Sequence, residues 1–384
     1  MINVAIIGSG AIAMSHIKGY LEFGMDCKIV AVCDIYHEKA KAMVEKFNLN
    51  ADIYDDYKHI LNIPDIDLIS ICTPPYTHAE IAIDSLNHSK HVLVEKPMAA
   101  SLQECDAMIE AAERNHRILS VISQNRFTNP MMKLKRVLDT KLIGPIVHTQ
   151  VDSYWWRGHS YYDLWWRGTW EKEGGGCTLN HAVHHIDIFK WMNGMPSEVT
   201  AITSNTSHDN AEVEDLSIAI CQYNDGALAQ ITSSVVHHGE EQQLIFQGRN
   251  ARVSVPWKVK ASKSLENGFP EIDHELEREI QRVYDLQESI PYEGHTGQIH
   301  DVIQAIKGET DVLVDGVQAR QTLELITAIY KSSSLGEKVS LPLEKTDSFY
   351  TREGMLDNVK YFYEKTKIIE NFATNDITTG GKYE

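Results

Sequence analysis

The chain has 384 residues, of which 43% are hydrophobic and 23% charged, values typical of a globular protein with two domains. Its formal net charge of −18 disfavours nucleic acid as a partner, because an acidic surface repels phosphate backbones. The sequence contains no apolar run of about 18 residues and no signal-peptide pattern, so we expect neither a membrane span nor export. Six scattered cysteines without a CxxC pair favour a reducing, cytoplasmic compartment.

The first residues predict a dinucleotide-binding turn. Residues 2–7 are apolar enough for a buried parallel strand, and GSGAIA at 8–13 then opens a helical pattern. In this fingerprint Gly8 makes the tight turn, and Gly10 lets a pyrophosphate approach the backbone. The start of the helix, including Ala11 and Ile12, supplies free N–H groups for that anion.

A second predicted strand, 28–33, ends at Asp34 at the distance from the glycine turn that the fingerprint expects. A carboxylate there can accept hydrogen bonds from the adenosine ribose and would repel a 2′-phosphate. We therefore expect NAD as the cofactor and consider NADP the weaker candidate.

Strands and helices alternate up to residue 123. The pattern predicts strands at 67–72, 91–94 and 118–123, and helices at 38–47, 76–87 and 101–114, the last with a capping box of Ser101 and Glu104. In a doubly wound sheet, ligands lie beyond the carboxyl ends of the strands. This topology predicts that further cofactor-binding residues follow the strands, namely Thr73, Pro74, His78, Glu95, Lys96 and Gln124.

Beyond residue 126 the apolar residues alternate with polar ones, as in an antiparallel sheet with one covered face. We predict strands at 146–154, 198–204, 215–223, 227–236, 242–247 and 251–255, with helices at 130–138, 294–308 and 318–333. Residues 259–293 are predicted as loop plus one helix, and 349–384 as a tail outside any core. The expected division is therefore 1–123, 124–348 and 349–384.

The segment 174–187, GGGCTLNHAVHHID, contains residues suited to proton transfer. On one continuous helix, Asn180 and His184 would share a face, and histidine titrates near neutral pH. A metal is the alternative, since His181, His184 and His185 have helical ligand spacing. No cysteine or carboxylate motif at ligand spacing supports it, so we expect no metal.

These motifs, in this order, resemble the Gfo/Idh/MocA family (glucose–fructose oxidoreductase, inositol dehydrogenase and rhizopine catabolism). The resemblance covers roughly residues 1–345. It implies an α/β protein with an N-terminal Rossmann domain and a C-terminal α/β domain with an open, mostly antiparallel sheet. In that family this sheet commonly mediates oligomerisation, so we expect a homo-oligomer, a dimer or a tetramer.

The resemblance also implies that Lys96 and His184 form the working pair of a hydride-transfer enzyme. Oxidising a secondary alcohol requires removal of the O–H proton while hydride leaves the carbon, so His184 suits the general base. The ammonium group of Lys96 would stabilise the negative charge that develops on the oxygen. Asn180 stands where the commoner family pattern has aspartate, which favours substrate positioning over charge pairing.

Five of the seven tryptophans lie between residues 155 and 170, which points to a sugar or to an oligomer contact. Aromatic faces stack on pyranose rings, and two arginines in the segment can bind hydroxyls or carboxylates. The expected substrate-binding residues are Lys96, Arg126, Trp155, Arg157, Trp166, Arg167, Asn180, His184 and His185, with His295 and His300 as further candidates.

The sequence therefore predicts an NAD-dependent oxidoreductase acting on a secondary hydroxyl of a small carbohydrate, glycoside or cyclitol, with C3 of a pyranoside as the leading candidate. One alternative is a redox-neutral epimerase or glycoside-cleaving enzyme that holds NAD tightly. A non-catalytic, NAD-binding regulatory protein is the other.

Overall fold

The computed structural model describes residues 1–370 and residue 372. The chain divides into two compact units, one of residues 1–127 and 290–323, the other of residues 128–289 and from 324 onward. The segment 290–323 thus belongs with the first unit, whereas the sequence pattern predicted a continuous second domain over 124–348. Its apolar helix face packs on the first unit: Ile299, Val302 and Ile303 join the same buried cluster as Val4 and Ile17.

The first unit contains a six-stranded parallel sheet in the order β3-β2-β1-β4-β5-β6, the order of a Rossmann fold. Its strands are nearly continuous apolar runs, because helices cover both faces. The three-residue β3 was not predicted, since it is too short to give a periodic signal. The strands are β1 (Ile2–Ile7), β2 (Cys27–Cys33), β3 (Asp52–Tyr54), β4 (Leu68–Ile71), β5 (His91–Val94) and β6 (Leu119–Val121).

Helices α1 to α5 and α10 belong to the first unit, and α11 runs from the first unit into the second. Ser101 Oγ accepts the N–H of Glu104 at 3.2 Å, which confirms the predicted N-cap of α5. In the described chain, no helix is long and apolar enough to cross a membrane. The helices are α1 (Ala13–Leu21), α2 (His37–Lys46), α3 (Tyr57–Leu61), α4 (His78–Asn87), α5 (Leu102–Arg114), α6 (Asn129–Asp139), α7 (Cys177–Asn180), α8 (Val183–Asn193), α9 (His274–Asp285), α10 (Gly294–Ile306), α11 (Gly316–Leu335) and α12 (Arg352–Asn358).

The second unit contains a nine-stranded sheet in the order β14-β13-β12-β11-β7-β10-β9-β8-β15. Only the pair of β7 and β10 is parallel among these strands, which confirms a mostly antiparallel sheet. The strands are β7 (Ile146–Tyr154), β8 (Glu198–Ser204), β9 (Leu216–Gln222), β10 (Leu228–Ser234), β11 (Gln242–Gly248), β12 (Ala251–Val255), β13 (Lys258–Ser264), β14 (Pro270–Ile272) and β15 (Val339–Ser340).

Three sequence predictions for the second unit are wrong. Residues 259–293 contain β13 and β14, which lie at the sheet edge and carry mostly exposed polar side chains, so they give no apolar signal. The helical run after the glycines is two helices, α7 and α8, interrupted at His181 and Ala182. The tail was expected outside any core, yet Phe349, Met355 and Val359 are buried. Positions 371 and 373–384 of that tail lie outside the described residues.

Candidate active site

The glycine turn between β1 and α1 has the backbone geometry that a dinucleotide requires. Gly8 has φ of +95°, and a Cβ there would lie 2.7 Å from the carbonyl carbon of Cys72, so only glycine fits. At Gly10 a Cβ would meet no described atom within 4 Å, so its backbone is open to a phosphate group. The N–H of Ser9 donates to Asp34 Oδ2 at 2.8 Å, which ties the turn to the end of β2.

Two buried polar atoms fit a bound dinucleotide. Ser9 Oγ and Gln124 Oε1 have no hydrogen-bond partner among the described residues. Buried polar atoms are normally satisfied, so atoms like these suit a ligand that supplies the missing partners. Gln124 follows β6 and was predicted to bind the cofactor, whereas Ser9 was not predicted, although it stands between the two fingerprint glycines.

His78 holds two strand-end turns of the first unit together. Its ring is buried, with Nδ1 2.9 Å from the carbonyl oxygen of Pro97 and Nε2 2.8 Å from that of Thr73. Burial lowers the pKa of His78. Both ring nitrogens are engaged by the protein, so His78 positions the turns at Thr73–Pro74 and after Lys96 rather than offering its ring to a ligand.

Glu95 is the centre of a buried polar cluster and was predicted to bind the cofactor. Its Oε1 lies 2.9 Å from His16 Nε2 and 3.2 Å from His295 Nε2. Its Oε2 accepts the backbone N–H of Lys96 at 3.2 Å. Burial alone would raise the pKa of Glu95, but the hydrogen bonds of the two histidines hold it well below its ordinary value. The carboxylate thus stays ionised and fixes the turn that carries Lys96.

Among the described residues, His16, Glu95 and His295 are the one group of three side chains placed closely enough to hold a metal ion. The three histidines that follow the glycine turn in the second unit form no such group. The distances of 2.9 and 3.2 Å around Glu95 are those of hydrogen bonds, and Ser70 Oγ lies 2.8 Å from His16 Nδ1. Hydrogen bonding alone accounts for this cluster.

Arg126 is fully buried, contrary to the expectation that it binds substrate. Its guanidinium group donates to the carbonyl oxygen of Leu313 at 3.3 Å and to Gln318 Oε1 at 2.5 Å. These bonds join the end of the parallel sheet to the segment 290–323 of the same unit. These bonds and the burial of the side chain favour a structural role for Arg126.

In the second unit, Glu214 holds the glycine turn. Its Oε2 accepts the N–H of Gly176 at 3.1 Å, and its Oε1 accepts the N–H of Thr178 at 2.9 Å and the hydroxyl of Tyr330 at 3.0 Å. Burial raises the pKa of Glu214. A Cβ on Gly176 would lie 1.9 Å from the carbonyl oxygen of Glu214, which explains why this position is glycine. Sequence reasoning missed Glu214, because it lies 38 residues from its partner Gly176.

Asn180 and His184 lie on the two short helices that follow this turn. Asn180 Nδ2 donates to the carbonyl oxygens of Gly175 and Gly176 at 2.7 and 3.2 Å, which closes the turn. His184 is half-buried. His185 is fully buried with Nδ1 2.9 Å from Ser153 Oγ, and burial lowers its pKa to about 4. These contacts favour His184 as the site histidine and a structural role for His185.

The aromatic segment, residues 154–170, is tightly built. Arg157 pairs with Glu240 at 2.6 Å and Arg167 with Glu173 at 2.9 Å. The guanidinium carbon of Arg167 lies 4.2 Å from the ring centroids of both Tyr161 and Trp166. Both arginines are thus already neutralised by carboxylates, which suits hydrogen bonding to sugar hydroxyls better than capture of an anion.

Two rings of the aromatic segment approach the helix junction that precedes His184. The ring centroids of Trp155 and Tyr161 lie 5.8 and 5.7 Å from that of His181. The second unit therefore gathers the aromatic segment and the helix junction after the glycine turn in one region.

A doubly wound sheet with a dinucleotide turn, joined to a second α/β unit, is the architecture of a two-domain dinucleotide-binding protein. Residues 2–123 match the family model for the oxidoreductase family, NAD-binding Rossmann fold, and residues 135–341 match the model for the C-terminal alpha/beta domain of that oxidoreductase family. The chain belongs to the Gfo/Idh/MocA oxidoreductase family, with NAD as its cofactor.

Named relatives act on or bind carbohydrate-like molecules. The 2,7-anhydro-N-acetylneuraminate hydratase of Mediterraneibacter gnavus is 25% identical over 66% of the chain and 67% of that protein. The D-glucoside 3-dehydrogenase of Escherichia coli K12 is 24% identical over 88% of the chain and 97% of that protein. The WlbA dehydrogenase of Bordetella pertussis, solved with NADH and UDP-GlcNAcA, is 27% identical with a TM-score of 0.77, covering 89% of the chain and 98% of WlbA.

Proposed function

We propose that the chain is an NAD-dependent dehydrogenase that oxidises a secondary hydroxyl of a sugar, glycoside or cyclitol, with C3 of a pyranoside as the leading candidate. The observation that carries this proposal is that a buried carboxylate holds each expected catalytic turn. Glu95 binds the backbone of Lys96, and Glu214 binds the glycine turn that precedes Asn180 and His184. The names of the glucoside 3-dehydrogenase and of WlbA with its sugar nucleotide support the substrate class and the position.

In this proposal, bound NAD supplies the hydride acceptor, and residues of the chain manage the proton and the orientation of the substrate. His184 takes the hydroxyl proton as general base. Lys96 donates a hydrogen bond to the same oxygen and stabilises the charge that forms as hydride leaves the carbon. Asn180, whose amide closes the glycine turn, acts by positioning. The proton of the alcohol would end on His184, and NAD, when bound, would accept the hydride.

A test begins with the purified chain, NAD or NADP, and a panel of free sugars, glycosides, inositols and nucleotide sugars, with NADH formation followed by absorbance. We expect NAD to be preferred, since Asp34 follows β2 where the dinucleotide fingerprint expects the residue that binds the ribose. Lys96→Ala and His184→Ala should each lower kcat about 10²–10⁴-fold on the best substrate, the range of general acid–base effects. The exposed His37→Ala is the control. Unchanged turnover in both catalytic variants would remove the assignment.

A redox-neutral reaction with tightly bound NAD is the second candidate, because one relative is named as a hydratase. It predicts that NAD co-purifies and that sugar is converted while no NADH accumulates. A regulatory protein without catalysis predicts sugar or NAD binding with no conversion. Product analysis by mass spectrometry separates the three.

We also propose a homo-oligomer that forms through the open face of the second sheet, and a cytoplasmic location. Ile202, Ile218 and Ile220 are 76, 50 and 51% exposed on neighbouring strands β8 and β9, with Ile202 directly opposite Ile218. Such a patch is typical of an interface. Ile218→Lys should shift the mass measured by light scattering towards the monomer, and an unchanged mass would exclude this face. All six cysteines are buried and free of disulfides, which suits a reducing compartment.

A further inference from the structure

Residues 359–370, here called the C-terminal strap, follow α12 and lie beyond the two matched family models, the second of which ends at residue 341. The strap contains almost no regular secondary structure, yet it is bonded to the aromatic segment at several points near both of its ends. Trp165 donates its N–H to the carbonyl oxygen of Ile369 at 3.0 Å, and Ile369 donates its N–H to that of Asp163 at 2.8 Å. These bonds form a short parallel bridge between Leu164 and Ile369.

The buried side-chain amide of Asn210 binds the backbone in the middle of the strap. Asn210 Oδ1 accepts the N–H groups of Thr366 and Lys367, both at 2.9 Å, and Asn210 Nδ2 donates to the carbonyl oxygen of Lys367 at 2.9 Å. The same Nδ2 lies 3.2 Å from the carbonyl oxygen of Tyr162. Asn210 therefore joins the strap to the aromatic segment through one side chain.

Charged groups add to this attachment. Lys367 Nζ lies 2.6 Å from Asp163 Oδ2, and Lys365 Nζ donates to the carbonyl oxygen of Tyr162. Asp163 and Asn210 are only 2% and 4% exposed. Buried polar groups left without partners are destabilising, so the aromatic segment needs the strap to hold its conformation.

Two series of contacts connect the strap to the helices that carry Asn180 and His184. Tyr161, next to the residues that the strap binds, packs its ring 5.7 Å from that of His181. Trp170 donates its indole N–H to the carbonyl oxygen of Lys360 at 3.2 Å and stacks edge-on against Tyr330 at 4.9 Å. Tyr330 in turn donates to Glu214, the carboxylate that holds the glycine turn.

We infer that the C-terminal strap determines sugar specificity indirectly, by fixing the aromatic segment in the conformation that binds a pyranose ring. This inference rests on the proposed function, because it assigns the aromatic segment to the sugar. The strap binds the backbone of residues 162–165, and the rings of Tyr161 and Trp166 lie at the two ends of that stretch. Releasing the strap removes the backbone bonds that hold the stretch between these rings, while the dinucleotide turn of the other unit keeps its own bonds.

The test uses single substitutions in the full-length chain. Ile369→Pro removes the N–H that bonds Asp163, and Ile369→Ala is the matched control that keeps this N–H and shortens the side chain. We expect Ile369→Pro to raise KM for the best sugar about tenfold and to change the order of preferred sugars. The kcat at saturation and the Kd of NADH should stay within about threefold of the wild type, as should all values for Ile369→Ala.

Asn210→Ala is the second variant and should raise KM in the same direction. A parallel fall of kcat, NADH affinity and melting temperature in both variants would mean that the strap only stabilises the fold, and would overturn the inference. An unchanged KM and sugar preference in folded Ile369→Pro would overturn it as well.

Failure of the proposed function gives a different result. If the wild type converts no sugar, the dehydrogenase proposal fails. The role of the strap is then tested by sugar binding alone, measured as quenching of tryptophan fluorescence by the sugar panel. Weaker quenching in Ile369→Pro than in Ile369→Ala supports the inference that the strap determines sugar specificity. Equal quenching in the two variants, or none in the wild type, overturns it.

Discussion

Glu95 in the first unit and Glu214 in the second each stabilise a turn, but they do so with different hydrogen-bond donors. Each is a buried carboxylate that accepts a backbone N–H from a turn next to a proposed catalytic residue. Glu95 receives its other hydrogen bonds from His16 and His295, two side chains on separate helices. Glu214 receives them from Thr178 of the turn itself and from one tyrosine hydroxyl.

The pKa values of the two groups move in opposite directions as a result. The histidines hold the pKa of Glu95 below its ordinary value against the effect of burial, whereas burial prevails at Glu214 and raises its pKa. A buried carboxylate can therefore brace a turn either as an anion or with a tendency to be protonated. The kind of donor around it decides which, since two histidines contact Glu95 and none of the described donors to Glu214 is a histidine.

The largest effect is expected from Glu95→Ala, which removes the acceptor of the buried His16 ring N–H and of the half-buried backbone N–H of Lys96. We expect the free energy of unfolding to fall by about 3–5 kcal/mol. Urea denaturation followed by circular dichroism measures it, with the exposed Glu38→Ala as control. A loss below about 1 kcal/mol would contradict the role given to this cluster.

Gly176→Ala should be next in size, because its Cβ would lie 1.9 Å from the backbone carbonyl oxygen of Glu214. Overpacking of this kind costs about 1–3 kcal/mol, and here it must shift backbone, so we expect the upper end, with loss of turnover. Gly158→Ala, where a Cβ would be 3.5 Å from the ring of Trp156, is the matched control. Equal stability of the two variants would show that the turn accommodates a Cβ at position 176 with little loss of stability.

The pH dependence of stability should differ in sign between the two carboxylates. Because its folded pKa is depressed, Glu95 contributes stability above the unfolded pKa of about 4.3 that is lost as pH falls below it. Glu214 has a raised folded pKa, so its contribution is present below about pH 4.3 and is lost as pH rises towards the folded pKa. The advantage of the wild type over Glu95→Gln should grow with rising pH, and its advantage over Glu214→Gln should shrink.

Urea titrations of the wild type and the two glutamine variants at a series of pH values check this contrast. If the difference in unfolding free energy between wild type and variant changed with pH in the same direction for both variants, the two carboxylates would not differ as described.

The smallest effect is expected from Tyr330→Phe, which removes the hydroxyl that donates to Glu214 and accepts the N–H of Leu179 at 3.2 Å. We expect a loss of about 1–2 kcal/mol, because the ring keeps its packing against Trp170. Urea denaturation measures the loss, with the exposed Tyr76→Phe as control. A loss as large as that of Gly176→Ala would place the main support of the turn at Tyr330 rather than in its close packing.

Much of the first unit could be predicted because its signals are local. The glycine fingerprint, Asp34 at the end of β2 and the N-cap at Ser101 each depend on residues close in sequence or on strand topology. The second unit was less predictable where its strands are short, polar and at the sheet edge, as in β13 and β14. The interruption between α7 and α8 carries no proline and so gave no local signal.

The sequence by itself determined the family, the parallel dinucleotide-binding sheet and the placement of Lys96 at the end of a buried strand. Periodicity and strand-end topology are sufficient for these features, since each follows from the local pattern of apolar side chains. Only the tertiary structure decided that Glu95 meets His16 and His295, that Glu214 closes a glycine turn far away in the chain, and that the strap binds Asn210. Such partners are chosen by packing, because a buried polar group must be satisfied by whichever donor the fold brings to it.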